Sequence, residues 1–247
     1  MLRHVFAMHV PAFGRALRLP LTLDELAAAG FAVATPAAGG SSTPVASGPG
    51  LQVASGPPAV ALTFDDGPHP EGTPKMLEVL ADYDARAVFF VVGEQVVKRP
   101  ALTRLILDQG HAIGLHGYQH RPHPLRTPAG LVEDFDRGLA AIEDATGITP
   151  RLHRPPFGIY SRASLRIAHE RGLQPLLWSK WGKDWRKVTT PEQITACVVA
   201  GLRAGDVILL HDADYYSALR SHRRTAAALP EIMKMLKSAG LGTVAFA

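Results

Sequence analysis

Residues 59–68 read AVALTFDDGP. The run from Ala59 to Phe64 is apolar and β-branched, and it is short enough for a buried strand and too short for a core helix. It ends on Asp65 and Asp66, after which Gly67-Pro68 turns the chain. Two adjacent carboxylates at a strand end repel each other unless a cation or an arginine sits close by. An Asx-turn with helix-capping roles is the purely structural explanation of the same pair.

Outward from this stretch, short apolar runs alternate with segments of helical period. Candidate strands are Ala59–Phe64, Ala87–Val92, His111–Leu115, Arg151–Arg154, Leu173–Trp178, Asp206–Leu210 and Gly242–Phe246. Thr73-Pro74, Thr127-Pro128 and Thr190-Pro191 each put a capping hydroxyl before a proline suited to a first helical turn. Thr190 with Gln193 spells a capping box. Gly110, Gly147, Gly172 and Gly240 sit where helices stop. Leu131, Phe135, Leu139 and Ile142 share one helical face. Strands alternating with helices in this way predict an α/β fold with a parallel sheet, either a barrel or a doubly wound sheet, and both put their sites at the C-terminal strand ends.

The predicted strand ends carry chemistry. The third runs into His116-Gly117-Tyr118-Gln119-His120, whose two histidines lie four apart and can share a metal. With one aspartate of the Asp65-Asp66 pair they make three ligands and leave a position open for water, the pattern of a catalytic centre. The fourth ends at Arg154-Pro155-Pro156-Phe157-Gly158, where an arginine fork suits the spare carboxylate of the Asp pair. The sixth ends at His211, placed as a general acid whose protonated form Asp184 can hold. His69, His111, His123, His153 and His169 read as surface or packing residues.

Composition narrows the classes. The chain has 247 residues, a formal charge of +4 and 7% aromatic residues. Its basic residues are dispersed, the densest cluster being Arg220, His222, Arg223 and Arg224, so a nucleic-acid surface is not indicated. No apolar run is long enough for a transmembrane helix. Cys197, the only cysteine, excludes an intrachain disulfide and reads as a core residue. Residues 1–35 have no assigned role, although Thr22 could cap a short helix over Leu23–Ala29. They contain no continuous apolar segment of the kind a signal peptide needs, so the cellular location stays open. Residues 36–57, rich in Pro, Gly, Ser and Ala, read as a linker, and 58–247 as the functional domain.

Taken in order, TFDDGP, His116-x-x-x-His120, RPPFG, Asp184-Trp185 and Leu210-His211-Asp212 resemble the five motifs of the polysaccharide deacetylase family, the NodB homology domain or carbohydrate esterase family 4. The resemblance runs from Pro58 to the C-terminus. It implies a distorted (β/α)7-type barrel of parallel strands and a metal-dependent hydrolase that removes N-acetyl groups from an amino sugar. It implies one divalent ion, zinc or else cobalt, nickel or manganese, on Asp66, His116 and His120. Asp65 would be the base, Arg154 its orienting partner, and His211 the acid tuned by Asp184. Phe157 would offer its N–H to the oxyanion, with Leu210 and Trp185 forming the acetyl pocket. The sequence departs from the family pattern at Gly117, where Ser or Thr is usual, at Phe157, where Tyr is commoner, and in the form of the fourth motif.

Two other functions fit parts of this pattern. One is a hydrolase of the same fold acting on a cyclic imide or ureide. The other is a carbohydrate-binding protein without catalysis. The acetylated substrate and the oligomeric state are not legible.

Overall fold

The computed structural model describes residues 58–246 and, before them, Thr22, Asp24, Glu25 and Val33–Ala34. In chain order the strands are β1 (Val33–Ala34), β2 (Ala59–Asp65), β3 (Val88–Val91), β4 (Ala112–Leu115), β5 (Leu152–His153), β6 (Gln174–Pro175), β7 (Lys180–Trp181), β8 (Val207–His211), β9 (Gly242–Thr243) and β10 (Ala245–Phe246). The helices are α1 (Gly72–Asp82), α2 (Gly93–Lys98), α3 (Pro100–Asp108), α4 (Pro128–Thr146), α5 (Arg162–Glu170), α6 (Pro191–Val199) and α7 (Ser221–Ser238).

Every residue of β2 is buried, as its unbroken apolar run requires of a strand covered on both faces. Phe64 of β2 stacks on Phe89 of β3 with ring centroids 5.0 Å apart, and truncating either ring to alanine costs about 3–5 kcal/mol. β2 runs parallel to β3 and to β8, and Asp65 lies opposite Phe90 on one side and His211 on the other. That register brings two of the predicted strand ends to one level.

The strand path is β6-β5-β4-β3-β2-β8-β7, parallel throughout. Its two ends are one stretch of chain. Leu176 N–H still donates to His153 O at 3.0 Å, whereas Ser179 N–H donates to Val207 O at 3.0 Å. A single bent strand therefore starts beside β5 and finishes beside β8, which closes the barrel. The strand predicted over Leu173–Trp178 is corrected accordingly, because it is broken at the bend into β6 and β7. Across the bend, the carbonyls of Leu176 and Leu177 accept from the Arg154 side chain at 2.9 and 2.8 Å. The last predicted strand also divides, β9 pairing parallel to the start of β2 and β10 antiparallel to β1.

α4 packs against α2, α3 and α5, and α7 against α1 and α6. The caps at Thr127 and Thr190 form as expected, the latter as a full capping box. Thr73 does not cap. It lies inside α1, where its hydroxyl accepts from His69 N–H at 2.7 Å and donates to Asp212. Cys197 is half-buried on α6 and not a core residue. Thr22 and Glu25 exchange backbone and side-chain hydrogen bonds at 3.1 and 3.2 Å; the rest of the helix read over 23–29, and the linker over 36–57, lie outside the described residues. Among the described residues no helix is long and apolar enough to cross a membrane.

Candidate active site

On a regular strand Asp65 and Asp66 would point to opposite faces. Asp66 instead has a φ of 82°, a left-handed conformation that aspartate tolerates better than most residues. Both carboxylates thereby line one cleft of about 280 Å³. Asp65 Oδ1 accepts from Arg154 Nη1 at 2.7 Å, and the same nitrogen reaches Thr63 Oγ1 at 2.8 Å. With Nε donating to the Leu176 carbonyl and Nη2 to that of Leu177, the fully buried Arg154 guanidinium has every nitrogen in a hydrogen bond. Burial pulls its pKa down, against the Asp65 charge that raises it.

Asp66 Oδ1 lies 3.2 Å from His120 Nε2 and 3.5 Å from His116 Nε2. Potential ligand atoms of these three side chains fall within 4.8 Å of one another. His116 Nδ1 sits 2.7 Å from the carbonyl of Arg154. A carbonyl can only accept, so Nδ1 carries the proton and the Nε2 lone pair is free. Burial alone would raise the Asp66 pKa; His120 and His116 overcome it and hold the carboxyl well below its usual value. Asp66 Oδ1 is buried and has no hydrogen-bond partner. One carboxylate oxygen and two imidazole nitrogens suit zinc and other first-row divalent ions, so these residues fit the expected metal.

The loop carrying the two histidines is built without the expected Ser or Thr. Gly117 takes a φ of 83°, and a β-carbon there would lie 2.9 Å from Asp134 Oδ2. Asp134, on α4, instead accepts from Tyr118 N–H at 3.0 Å and Gln119 N–H at 3.1 Å, with Arg126 paired to it. The first two N–H groups of α2 donate to the carbonyls of Gly117 and Tyr118 at 2.9 and 3.0 Å. A backbone carboxylate clamp thus supports the loop where a hydroxyl was expected.

His211 closes the other end of the constellation. Its Nδ1 lies 2.9 Å from Asp184 Oδ1, and its N–H donates to Asp184 Oδ2 at 2.7 Å. Thr225 on α7 donates to the same carboxylate at 2.8 Å. Burial would lower the His211 pKa, but the Asp184 charge and hydrogen bond, with Asp66 and Asp65 beyond, raise it to about 10. Trp185 stands edge-on to His211 at 5.7 Å and lines the cleft, as do Trp178, Trp181 and Phe157. Phe157 has a φ of 63°.

Leu210 is corrected. It is fully buried and would crowd a β-carbon at Gly182, while Leu209 lines the cleft. The reason is the two-residue period of β8, which puts Leu209 and His211 on one face and Leu210 on the other. Sequence reading also missed Tyr216, whose ring stacks on His120, and Asp134. The Tyr215-Tyr216 pair directly after the His211 strand end was the available signal for the first. For Asp134 an acidic residue in a helix gave none.

A second group, His69, Asp214 and His222, also gathers ligand-type atoms within 4.8 Å. Here His69 Nδ1 accepts from the N–H groups of Glu71 and Gly72 at 3.2 and 3.0 Å. Its proton must then sit on Nε2, which faces Asp214 Oδ1 at 3.3 Å. That nitrogen is a donor, so His69 turns no lone pair toward the other two, and the group is a packed buttress unsuited to a metal.

The family model described as polysaccharide deacetylase matches residues 52–176. A peptidoglycan-N-acetylglucosamine deacetylase of Bacillus cereus is 37% identical over 183 residues, 73% of this chain and 83% of the relative. A chitooligosaccharide deacetylase of a Bradyrhizobium species is 35% identical over 155 residues, 62% of this chain and 70% of the relative. A family 4 carbohydrate esterase from Streptomyces lividans, solved with acetate, superposes with a TM-score of 0.68 at 31% identity, covering 75% of this chain and 91% of that one. The barrel, the order of the five motifs and these likenesses together show that the chain belongs to the polysaccharide deacetylase family, carbohydrate esterase family 4.

Proposed function

We propose that this protein hydrolyses the N-acetyl amide of N-acetylglucosamine units in a glycan, with a divalent ion, zinc by the donor set and otherwise cobalt, nickel or manganese, on Asp66, His116 and His120. The observation that carries the reading is the convergence of those three side chains beside Asp65, a carboxylate held by Arg154 and left out of the ligand group. When bound, the ion polarises the amide carbonyl and acidifies water. Asp65 takes the proton of the attacking water, and Arg154 fixes the orientation in which it does so. The Phe157 backbone N–H serves the oxyanion that develops on the carbonyl oxygen as water adds to the carbonyl carbon. His211, kept protonated by Asp184, gives its proton to the leaving nitrogen as the C–N bond breaks. The new C–O bond leaves acetate, and the sugar leaves as a free amine.

Leu209 and the tryptophans Trp181 and Trp185 supply an apolar wall for the acetyl methyl and the sugar faces, a pairing of aromatic planes with ring C–H surfaces that hydrophobic burial favours. The relatives act, by name, on peptidoglycan and on chitooligosaccharides, and both present the same acetamide.

The test is acetate release from chitooligosaccharides, from peptidoglycan and from a small N-acetylglucosaminide, using zinc-loaded protein with and without chelator. Release that is lost on chelation and in Asp65→Asn is expected. No release from any of the three, with turnover of a cyclic imide or ureide instead, would replace this reading with hydrolysis of another C–N bond; no turnover at all would favour carbohydrate binding without catalysis.

A further inference from the structure

The two histidines of the metal group are oriented by different means. His116 is fixed by a hydrogen bond from Nδ1 to the Arg154 carbonyl. Among the described residues no protein group hydrogen-bonds His120 Nδ1, although a metal-ligating imidazole is usually set by such a partner. What His120 has is aromatic rings. Tyr216 lies face to face with it, centroids 4.1 Å apart and planes within 8°. Phe157 meets it edge-on at 4.6 Å and 61°. An imidazole enclosed by one parallel and one steep ring cannot tilt out of its plane without losing contact.

Tyr216 is itself locked. Its hydroxyl donates to Glu94 Oε1 at 2.7 Å and accepts from Gln95 Nε2 at 3.3 Å. Both partners lie on α2, whose N-terminal N–H groups hold the carbonyls of Gly117 and Tyr118. One helix therefore supports the backbone leading to His120 and the ring that covers it. On the other side, Asp214 accepts from Arg220 N–H at 2.6 Å, and Ala218 N–H donates to Trp185 O at 3.1 Å, which pins the loop on both sides of Tyr216.

We propose that Tyr216 is a positioning residue for the metal centre, setting the His120 imidazole by stacking where a hydrogen bond would ordinarily set it. This rests on the reading of Asp66, His116 and His120 as the ligands. Tyr216 also lines the cleft, but one face of its ring is taken by the His120 imidazole.

The experiment measures the zinc Kd by competition with a chromophoric chelator, and the cobalt(II) absorption spectrum, for the whole protein. Tyr216→Leu removes the ring, and Tyr216→Phe removes only the hydroxyl. Loss of an orienting partner typically weakens metal binding about tenfold or more, and that rise in Kd, with altered cobalt bands, is expected for Tyr216→Leu. Tyr216→Phe, which keeps the stack, is expected to stay within about threefold of wild type. Circular dichroism of the metal-free variants checks folding, and Tyr216→Met replaces Tyr216→Leu if the latter does not fold. The proposal is overturned if the folded ring-less variant binds zinc as wild type does while His116→Ala does not bind it. Zinc uptake absent from wild type as well would overturn the ligand reading, and this proposal with it.

Discussion

Two clusters in this protein have the same composition, two histidines and one aspartate, and opposite chemistry. In the first, a backbone carbonyl faces His116 Nδ1, so the inward nitrogen is left as a lone pair. In the second, two backbone N–H groups face His69 Nδ1, so the inward nitrogen carries the proton. Gathered ligand-type residues do not by themselves make a metal site; the atom behind His116 and the atoms behind His69 decide which of their nitrogens keeps a lone pair to offer. The difference is set by local backbone geometry. His116 follows a strand whose neighbour offers a carbonyl, and His69 precedes the free N–H groups at the start of a helix.

The largest effect follows directly. His116→Ala is expected to abolish zinc binding and to lower deacetylation by about a thousandfold or more, while His222→Ala leaves one zinc per chain; elemental analysis of the two variants checks this. A second zinc in wild type that is lost in His222→Ala would break the comparison. Next, Asp65→Asn should keep the metal and lower kcat by about a hundred- to ten-thousandfold, the range for a lost general base. A variant that loses the metal instead would make Asp65 a ligand.

A smaller effect is expected at Asp184→Asn, a loss of about ten- to hundredfold measured as a full pH profile. His211 acts while protonated, and its pKa is raised to about 10, so activity in wild type should fall only as pH rises toward that value. Without the Asp184 charge the alkaline limb should move toward neutrality. An unmoved limb would remove His211 from the acid role.

The smallest effect concerns the buttress. Burial, with the His222 charge next, holds the His69 pKa below its usual value. Between that value and the unfolded one the native chain binds fewer protons than the unfolded chain, so stability rises with pH there and falls as the solution is acidified. His69→Gln should flatten the drop in Tm between pH 8 and pH 5 relative to wild type. An unchanged drop would show that the cluster is indifferent to protonation.

Much of this was legible in the residues. β2, β3, β4 and β8 are buried on both faces, so their apolar runs and the charged residues that end them stand out. The bent strand was not legible, because its carbonyls at Leu176 and Leu177 are satisfied by an arginine side chain 22 and 23 residues earlier in sequence, at Arg154. Leu209 was within reach, since His211 in the cleft implies its neighbour two back on a strand. Asp134 and Tyr216 meet the loop of His116 and His120 through tertiary packing; the Tyr215-Tyr216 pair could flag the second as a candidate, but what each touches follows only from the fold.

The bend between β6 and β7 has a consequence for how this fold can vary. The guanidinium that binds Asp65 also terminates the open carbonyls at the barrel's seam, so in the proposed mechanism chemistry and closure share one side chain. Substitutions of Arg154 cannot silence the enzyme while sparing the scaffold. Lineages that abandon catalysis on this framework are therefore expected to keep the arginine and lose its carboxylate partner.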